Sequence, residues 1–154
     1  MALQRMLYYA QGFFYAFAGS FLFDQDCEAW VHGPVYPVVY HRYSHLGYAP
    51  IEEHDATGVV NLTEMEKAIL DSVIRNFGCY SGKILERFTH SETPWLETRG
   101  DLPAEAPSNR KIDKDTIGRY FTAVKEKYQM LTPGDIESYA RAMFERARGT
   151  SRLP

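Results

Sequence analysis

The chain has 154 residues, which fits one domain with its own core, and a composition that is 45% hydrophobic and 14% aromatic excludes a disordered protein. The net charge is −3, and the two cysteines, Cys27 and Cys79, lack the CxxC spacing of a structural zinc site, so we expect reduced thiols in a cytoplasmic protein. Polar residues interrupt the N-terminus, which argues against a signal peptide, and the apolar run of residues 12–23 is too short to span a membrane.

A helix is predicted at the N-terminus, with Gly19 as its stop. The stripe expected to face the core recurs at helical spacing and consists of Leu3, Met6, Leu7, Ala10, Phe14 and Phe17. Tyr8, Phe13 and Tyr15 lie off this stripe, so we expect the helix to be buried on several sides or to meet a partner.

Two short elements should follow. Aromatic residues around an Asp-rich turn predict a minor β element at about residues 21–31. Because proline suits the first turn of a helix, either Pro34 or Pro37 could open one, and a helix is predicted over about residues 34–46, ended by Gly47.

The second half of the chain predicts further helices. The best marked of them has a capping box formed by Thr63 and Glu66, a stop at Gly78, and a buried stripe of Leu62, Met65, Ile69, Val73 and Phe77. The other predicted features are a short helix capped by Ser81, a restart at Thr93-Pro94, a surface loop over residues 97–109, a helix capped near Asp113 and a last helix opened by Thr132-Pro133. We therefore expect a mainly α protein, a compact single-domain bundle of about five to six helices over residues 1–154.

The histidines raise the alternative of a metal-dependent hydrolase. His41 and His45 are four apart on the predicted helix, a spacing that can place two imidazoles on one face. However, Arg42 stands where a zinc metalloprotease has its glutamate, and a third ligand from His32, His54 or His90 would depend on the fold. No nucleophile elbow or phosphate-binding loop occurs either, so we expect no enzyme, no metal and no cofactor.

A binding function remains, with two kinds of partner. Ten Lys or Arg against six Asp or Glu in residues 110–154 suggest a nucleic-acid-associated regulator that uses the basic C-terminal part, residues 126–154. The acids are interleaved with these bases, which favours a solvated helix face. Trp30, Tyr36, Tyr40 and Tyr43 lie in the acidic half, where base stacking lacks a basic groove, so they should pack in the core or contact a protein.

Three separated motifs then resemble one family, the Panacea antitoxin domain, which includes SocA-like antitoxins and phage-associated GepA-like proteins. They are LQRMLYYAQG at residues 3–12, LFDQDCEAWVHGPVYPVVYHRY at residues 22–43 and LERFTHSETPW at residues 85–95. The similarity extends over about residues 3–125. One departure is Cys27, where the family usually has isoleucine before its EAW motif.

The resemblance implies an antitoxin that neutralises a cognate protein toxin by direct contact, and it also allows an adaptor that delivers the toxin to an ATP-dependent protease of the ClpXP type. The motif residues carried over to this sequence include Ala29, Gly33 and Val35. The expected partner-binding or motif residues are Trp30, His32, Pro34, Tyr36, Pro37, Tyr40, Tyr43, Thr89, His90, Pro94 and Trp95. From its sequence context, we also expect His90 to donate to a backbone carbonyl and fix the turn before Pro94 and Trp95.

Overall fold

The computed structural model describes residues 2–44 and 61–150, apart from the side chain of residue 150. Over these residues the chain is mainly helical with a small sheet, which confirms the predicted fold class. The helices are α1 (Ala2–Ala18), α2 (Pro37–Tyr43), α3 (Glu64–Phe77), α4 (Gly82–His90), α5 (Thr93–Arg99), α6 (Lys114–Lys127) and α7 (Ile136–Thr150). The strands are β1 (Cys27–Trp30), β2 (Gly33–Val35) and β3 (Lys111–Ile112).

Helix α1 lies at the centre of the fold and packs on α3, α4, α6 and β2. It is buried on several sides, as predicted, but its deepest face differs from the predicted stripe. Tyr8, Tyr9 and Phe13 are fully buried. Of the predicted stripe, Ala10 and Phe14 are buried, whereas Leu3, Met6, Leu7 and Phe17 are only half-buried. Because α1 is apolar around most of its circumference, periodicity alone could not identify the face that points inward.

Helices α1 and α6 approach each other closely at two glycines. A Cβ atom at Gly12 would lie 2.1 Å from Cδ2 of Phe121, and one at Gly118 would lie 2.7 Å from Cε1 of Tyr15. Aromatic rings of one helix therefore rest directly on the backbone of the other. This contact gives a structural reason for Gly12 at the end of the first motif.

The three strands form an antiparallel sheet in the order β2-β1-β3. Strand β1 lies within the predicted β element at residues 21–31, while β2 and β3 were not predicted. The expected helix start at Pro34 is wrong, because Pro34 lies in β2 opposite Ala29. Strand β2 is at the edge of the sheet, where a missing proline N–H costs no ladder hydrogen bond. The helix starts instead at Pro37, the other proline considered, and ends at Tyr43, while the predicted stop at Gly47 lies outside the described residues.

Helix α3 begins at the predicted capping box, in which Thr63 Oγ1 accepts from the amide of Glu66 and Glu66 Oε1 accepts from the amide of Thr63. Two positions of its predicted stripe are wrong. Leu62 and Met65 are exposed, because they belong to the residues around the cap, before the helix reaches the core. The remaining stripe residues, Ile69, Val73 and Phe77, are buried as expected.

The other helix boundaries follow the predictions closely. Ser81 caps α4, Asp113 caps α6, and Pro94 lies in the first turn of α5. The loop predicted from residue 97 begins later, because α5 continues to Arg99 and ends at Gly100. A short 3-10 turn at Pro133–Asp135 precedes α7. The described helices include none with the length and apolarity that crossing a membrane demands.

Candidate functional site

The second and third sequence motifs meet at the turn between β1 and β2. The indole Nε1 of Trp95 donates a 2.8 Å hydrogen bond to the carbonyl oxygen of Trp30. The imidazole of His90 stacks on the Trp95 ring with a centroid distance of 3.9 Å. Residues about sixty positions apart in the chain therefore form one contact, with α4 and α5 supporting the β1–β2 hairpin.

Two side chains of the first motif, on α1, form hydrogen bonds with the backbone of the same hairpin. Arg5 is buried and donates through Nη2 to the carbonyl oxygen of His32 in the turn. Gln4 Oε1 accepts a 2.7 Å hydrogen bond from the backbone N–H of Tyr36, just after β2. These two polar side chains are buried because they satisfy backbone groups of the hairpin, which would otherwise be costly to bury.

Gly33 ends this turn in a conformation that favours glycine. Its φ is +129°, and a Cβ there would lie 3.0 Å from Thr89 Oγ1 and 3.4 Å from Arg5 Nε. Both the backbone angle and the available space therefore require glycine. The GPV part of the motif thus encodes a tight turn and an edge strand held against α1 and α4.

The predicted site residues divide into a buried and a more accessible group. Pro34, Tyr36, Thr89, Pro94 and Trp95 are buried, so they act as framework. Those with solvent access are His32, which is exposed, and Trp30, Pro37, Tyr40, Tyr43 and His90, which are half-buried. Trp30 and Tyr40 contact each other edge to face, with a centroid distance of 4.9 Å. The aromatic surface of the second motif therefore comprises Trp30, Tyr40 and Tyr43 rather than Tyr36.

Two histidines flank one carboxylate beside the turn. His32 Nδ1 lies 2.8 Å from Glu86 Oε1, and His90 Nε2 lies 3.8 Å from the same oxygen. Burial lowers the pKa of His90, and the nearby Glu86 carboxylate acts in the opposite direction. His90 is therefore favoured as a neutral imidazole packed on Trp95.

The described residues contain no group of three or more His, Cys, Asp or Glu side chains that could hold a metal ion. His41 is exposed on α2. His45, its predicted partner, lies outside the described residues, as does His54.

Sequence reasoning missed Arg99, at the C-terminal end of α5. Its side chain is 3% exposed and donates to the carbonyl oxygens of Ala29, Pro103 and Ala106 at 3.2, 2.9 and 2.8 Å. It also lies over the Trp95 ring, 5.1 Å from the centroid. Arg99 therefore fixes the loop that follows α5 against β1. An arginine near a helix end is common in sequence, so no signal marked it.

Sequence reasoning also missed Glu92, at the N-cap of α5 and 0% exposed. Its Oε2 accepts hydrogen bonds from Tyr139 Oη at 2.6 Å and Tyr9 Oη at 3.1 Å, and Tyr139 Oη lies 2.7 Å from Tyr120 Oη. Burial raises the pKa of Glu92 to about 8, although the tyrosine hydrogen bonds act in the opposite direction. The only available signal was a charged residue within the SETPW motif.

A cavity of about 740 Å³ opens between the hairpin and the loop that Arg99 holds. Its hairpin side is formed by Glu28, Trp30, Val31 and His32, and its loop side by Glu105, Pro107, Ser108 and Asn109. Glu28 Oε1 accepts a 2.8 Å hydrogen bond from Trp30 Nε1, which fixes the carboxylate and the indole relative to each other. The cavity thus combines an aromatic ring, two carboxylates and the exposed His32.

The family model described as antitoxin SocA-like, Panacea domain, matches residues 3–96. The chain belongs to this family. No curated protein and no solved structure gives a significant match to the chain.

The part matched as a Panacea domain contains all three motifs, from α1 into α5. It ends before Arg99, Glu105 and helices α6 and α7. Cys27, the departure noted above, is a free and fully buried thiol at the start of β1, and burial raises its pKa. It occupies a core position for which the resemblance predicts the larger isoleucine.

Proposed function

We propose that this Panacea domain is the antitoxin of a toxin–antitoxin pair and neutralises a cognate protein toxin by direct contact in the cytoplasm, without catalysis. The observation that supports this most is the connection of the three family motifs into one framework beneath a surface of Trp30, His32, Tyr40 and Tyr43. The Trp95–Trp30 hydrogen bond joins the third motif to the second, and the hydrogen bond from Arg5 to His32 joins the first. Tryptophan and tyrosine are enriched at the energetic centres of protein interfaces. A rigid support lowers the entropy lost when such side chains bind.

Co-expression with the neighbouring reading frame tests the proposal. The neighbouring product alone should arrest growth, and the wild-type protein should restore it. A neighbour that is harmless alone, or one that remains toxic when this protein is produced, would contradict the proposal.

Surface variants locate the contact within the same assay. Tyr43→Ala and His32→Ala should weaken the rescue, because each removes a side chain from the proposed surface. Leu131→Ala is the control, since Leu131 is 86% exposed in the segment before α7 and lies outside the hairpin and α2. Circular dichroism should show that all three variants remain folded.

Delivery to an ATP-dependent protease is the second mode of neutralisation that we consider. Toxin level during rescue separates the two modes. Neutralisation by binding leaves the toxin present and in complex, whereas delivery lowers its level only in cells that contain the protease.

A further inference from the structure

The cavity between the β1–β2 hairpin and the loop after α5 carries a charge pattern that the family match does not explain. We propose that it binds an arginine- or lysine-bearing extended segment of the protein partner, with the cationic group between Glu28 and Glu105 and against the Trp30 ring. The inference rests on the proposed function for the partner's identity as a toxin.

The side chains of the hairpin point into the cavity because of the strand register. Along β1, Cys27 and Ala29 are buried while Glu28 and Trp30 are half-buried, as expected when successive side chains alternate between the two faces of a strand. The solvent-side residues of β1 are therefore the ones that line the cavity. The ladder to β2 and β3 fixes their direction.

The charges lining the cavity favour a cation. Glu28 and Glu105 line it, and none of the described lysines or arginines does. Among residues 2–44 and 61–150, neither carboxylate has an ion-pair partner. A phosphate or carboxylate ligand would be repelled here, so nucleic acid is a poor occupant.

The nearby cations are engaged elsewhere. Arg99 is directed at the carbonyl oxygens of its own loop, and Arg110 Nη1 donates to the carbonyl oxygen of Arg99 at 3.0 Å. Lys111 lies opposite Glu28 in the sheet, but its Nζ is 3.4 Å from Asp26. The cavity therefore keeps its negative character despite basic residues close by in sequence.

The Trp30 ring and the size of the cavity favour a peptide segment over a simple ion as the occupant. A guanidinium or ammonium over an indole gains cation–π attraction, and a carboxylate can accept two parallel hydrogen bonds from arginine. The volume of about 740 Å³ lies within the range of roughly 300–1,000 Å³ typical of sites that enclose organic ligands. An extended stretch of a few residues with one cationic side chain matches these features.

Arg99 is the positioning residue of this site. Its guanidinium donates hydrogen bonds to the carbonyl oxygens of residues 103, 104 and 106. These bonds fix the backbone on both sides of Glu105 and so place Glu105 opposite the hairpin. The cavity wall thus depends on a residue beyond the part that matches the family.

The experiment uses the full chain and a defined probe, the blocked peptide acetyl-Gly-Arg-Gly-amide, with its citrulline analogue as the uncharged control. The chain contains two tryptophans, so the indole N–H region of a nitrogen–proton spectrum holds two side-chain signals, and Trp30→Phe identifies that of Trp30. We expect the arginine peptide, at millimolar concentrations, to shift the Trp30 signal with saturation while the citrulline peptide does not. The Trp95 signal is the internal reference.

The variants link this shift to the two carboxylates. Glu28→Gln keeps an oxygen that can accept from the Trp30 indole but removes the charge, and it should weaken peptide binding at least threefold, as should Glu105→Gln. Glu126→Gln, the same charge change at an exposed position of α6, should leave binding unchanged. Raising the salt concentration should weaken binding, because it screens the charges.

An absent shift up to about 20 mM peptide, or an equal shift with citrulline, would overturn the cavity as a cation site. Equal weakening by Glu126→Gln would do the same. The peptide titration needs no toxin, so the two proposals can fail separately. Peptide binding without rescue in the co-expression assay would contradict only the antitoxin function. Rescue without peptide binding would contradict only the cation site in the cavity.

Discussion

At the scale of single residues, Glu92 is the most unusual side chain of the described structure. It is an acid buried at the start of α5, and the tyrosines that surround it come from α1, α6 and α7. Oε1 has no hydrogen-bond partner in the described structure, so at neutral pH a protonated carboxyl group fits this environment better than a carboxylate. Glu92 thus joins the start of α5 to α1 and α7, Tyr139 extends the contact to Tyr120 of α6, and burial raises the pKa of the carboxyl group.

Folding stability should therefore depend on the protonation of Glu92. Its pKa is raised from 4.5 to about 8 in the folded protein, so the folded state holds a proton that the unfolded state releases. The stabilising contribution is complete below pH 4.5, decreases as the pH rises towards 8, and is lost above pH 8. The decrease is at most about 1.4 kcal/mol per pH unit, the value for one proton.

Glu92→Gln tests this, because a neutral amide resembles the protonated acid. Urea denaturation at pH 5.5, 7 and 8.5 should show that the wild type loses stability relative to the variant as the pH rises. Glu126→Gln should follow the wild type. A constant difference between wild type and Glu92→Gln at all three pH values would show that Glu92 does not titrate in this window.

At the scale of secondary structure, the helices were more predictable than the sheet. Capping residues such as Thr63, Ser81 and Asp113 mark helix starts through local chemistry, and the structure confirms each of them. Strand β3 has only two residues, and it pairs Ile112 with Cys27, across most of the chain. Such pairing is set by tertiary contacts and leaves no local pattern that a single sequence could reveal.

The same distinction applies to the candidate site. Trp30 could be named from the resemblance, and His32 could be named as a candidate within the same stretch of sequence. Arg99 and Glu105 could not, because their relation to β1 depends on how the loop after α5 folds back. Two residues of the cavity were therefore named from the sequence, whereas the cavity itself and its loop side were not.

The contact between α1 and α6 gives a prediction at the same scale. Gly12→Ala should destabilise the protein by about 1–3 kcal/mol, a cost typical of overpacking a tight core. Phe121 cannot move aside easily, since it is fully buried and packs against Tyr8, Tyr9 and Phe13.

Thermal unfolding measures the effect of Gly12→Ala. Gly82→Ala is the matched control, because a Cβ there meets nothing within 4 Å, and its melting temperature should stay within about one or two degrees of the wild type. Equal melting temperatures for both variants would mean that the helices separate at little cost.

At the scale of the whole molecule, the region matched by the family is not the whole core. Phe121 and Tyr139, from α6 and α7, pack on Phe13 of α1, and Tyr139 also donates to Glu92. The C-terminal helices thus complete the environment of residues within the family motifs. Their bases are partly paired with acids, as in the 2.7 Å contact between Arg141 and Glu137, which agrees with a solvated face.

A fragment of residues 1–113 should therefore fail to fold, even though it contains every family motif. We expect it to lack a cooperative unfolding transition and dispersed amide signals, because removing α6 and α7 exposes α1 and leaves Glu92 without the Tyr139 hydroxyl. The full chain is the control. A fragment with a native-like spectrum would show that α6 and α7 are an addition to an independent domain.

The anchoring of the β1–β2 turn has a consequence for how such a protein could change its partner over evolution. Arg5 holds the turn through the carbonyl oxygen of His32, Gly33 supplies its positive φ, and Trp95 donates to the carbonyl oxygen of Trp30. The outward side chains at Glu28, Val31 and His32, with Glu105 opposite, take no part in that anchoring of the backbone. Substitutions at these few surface positions would change which partner the protein binds without disturbing the contacts that hold the turn. The same fold would then serve successive partners.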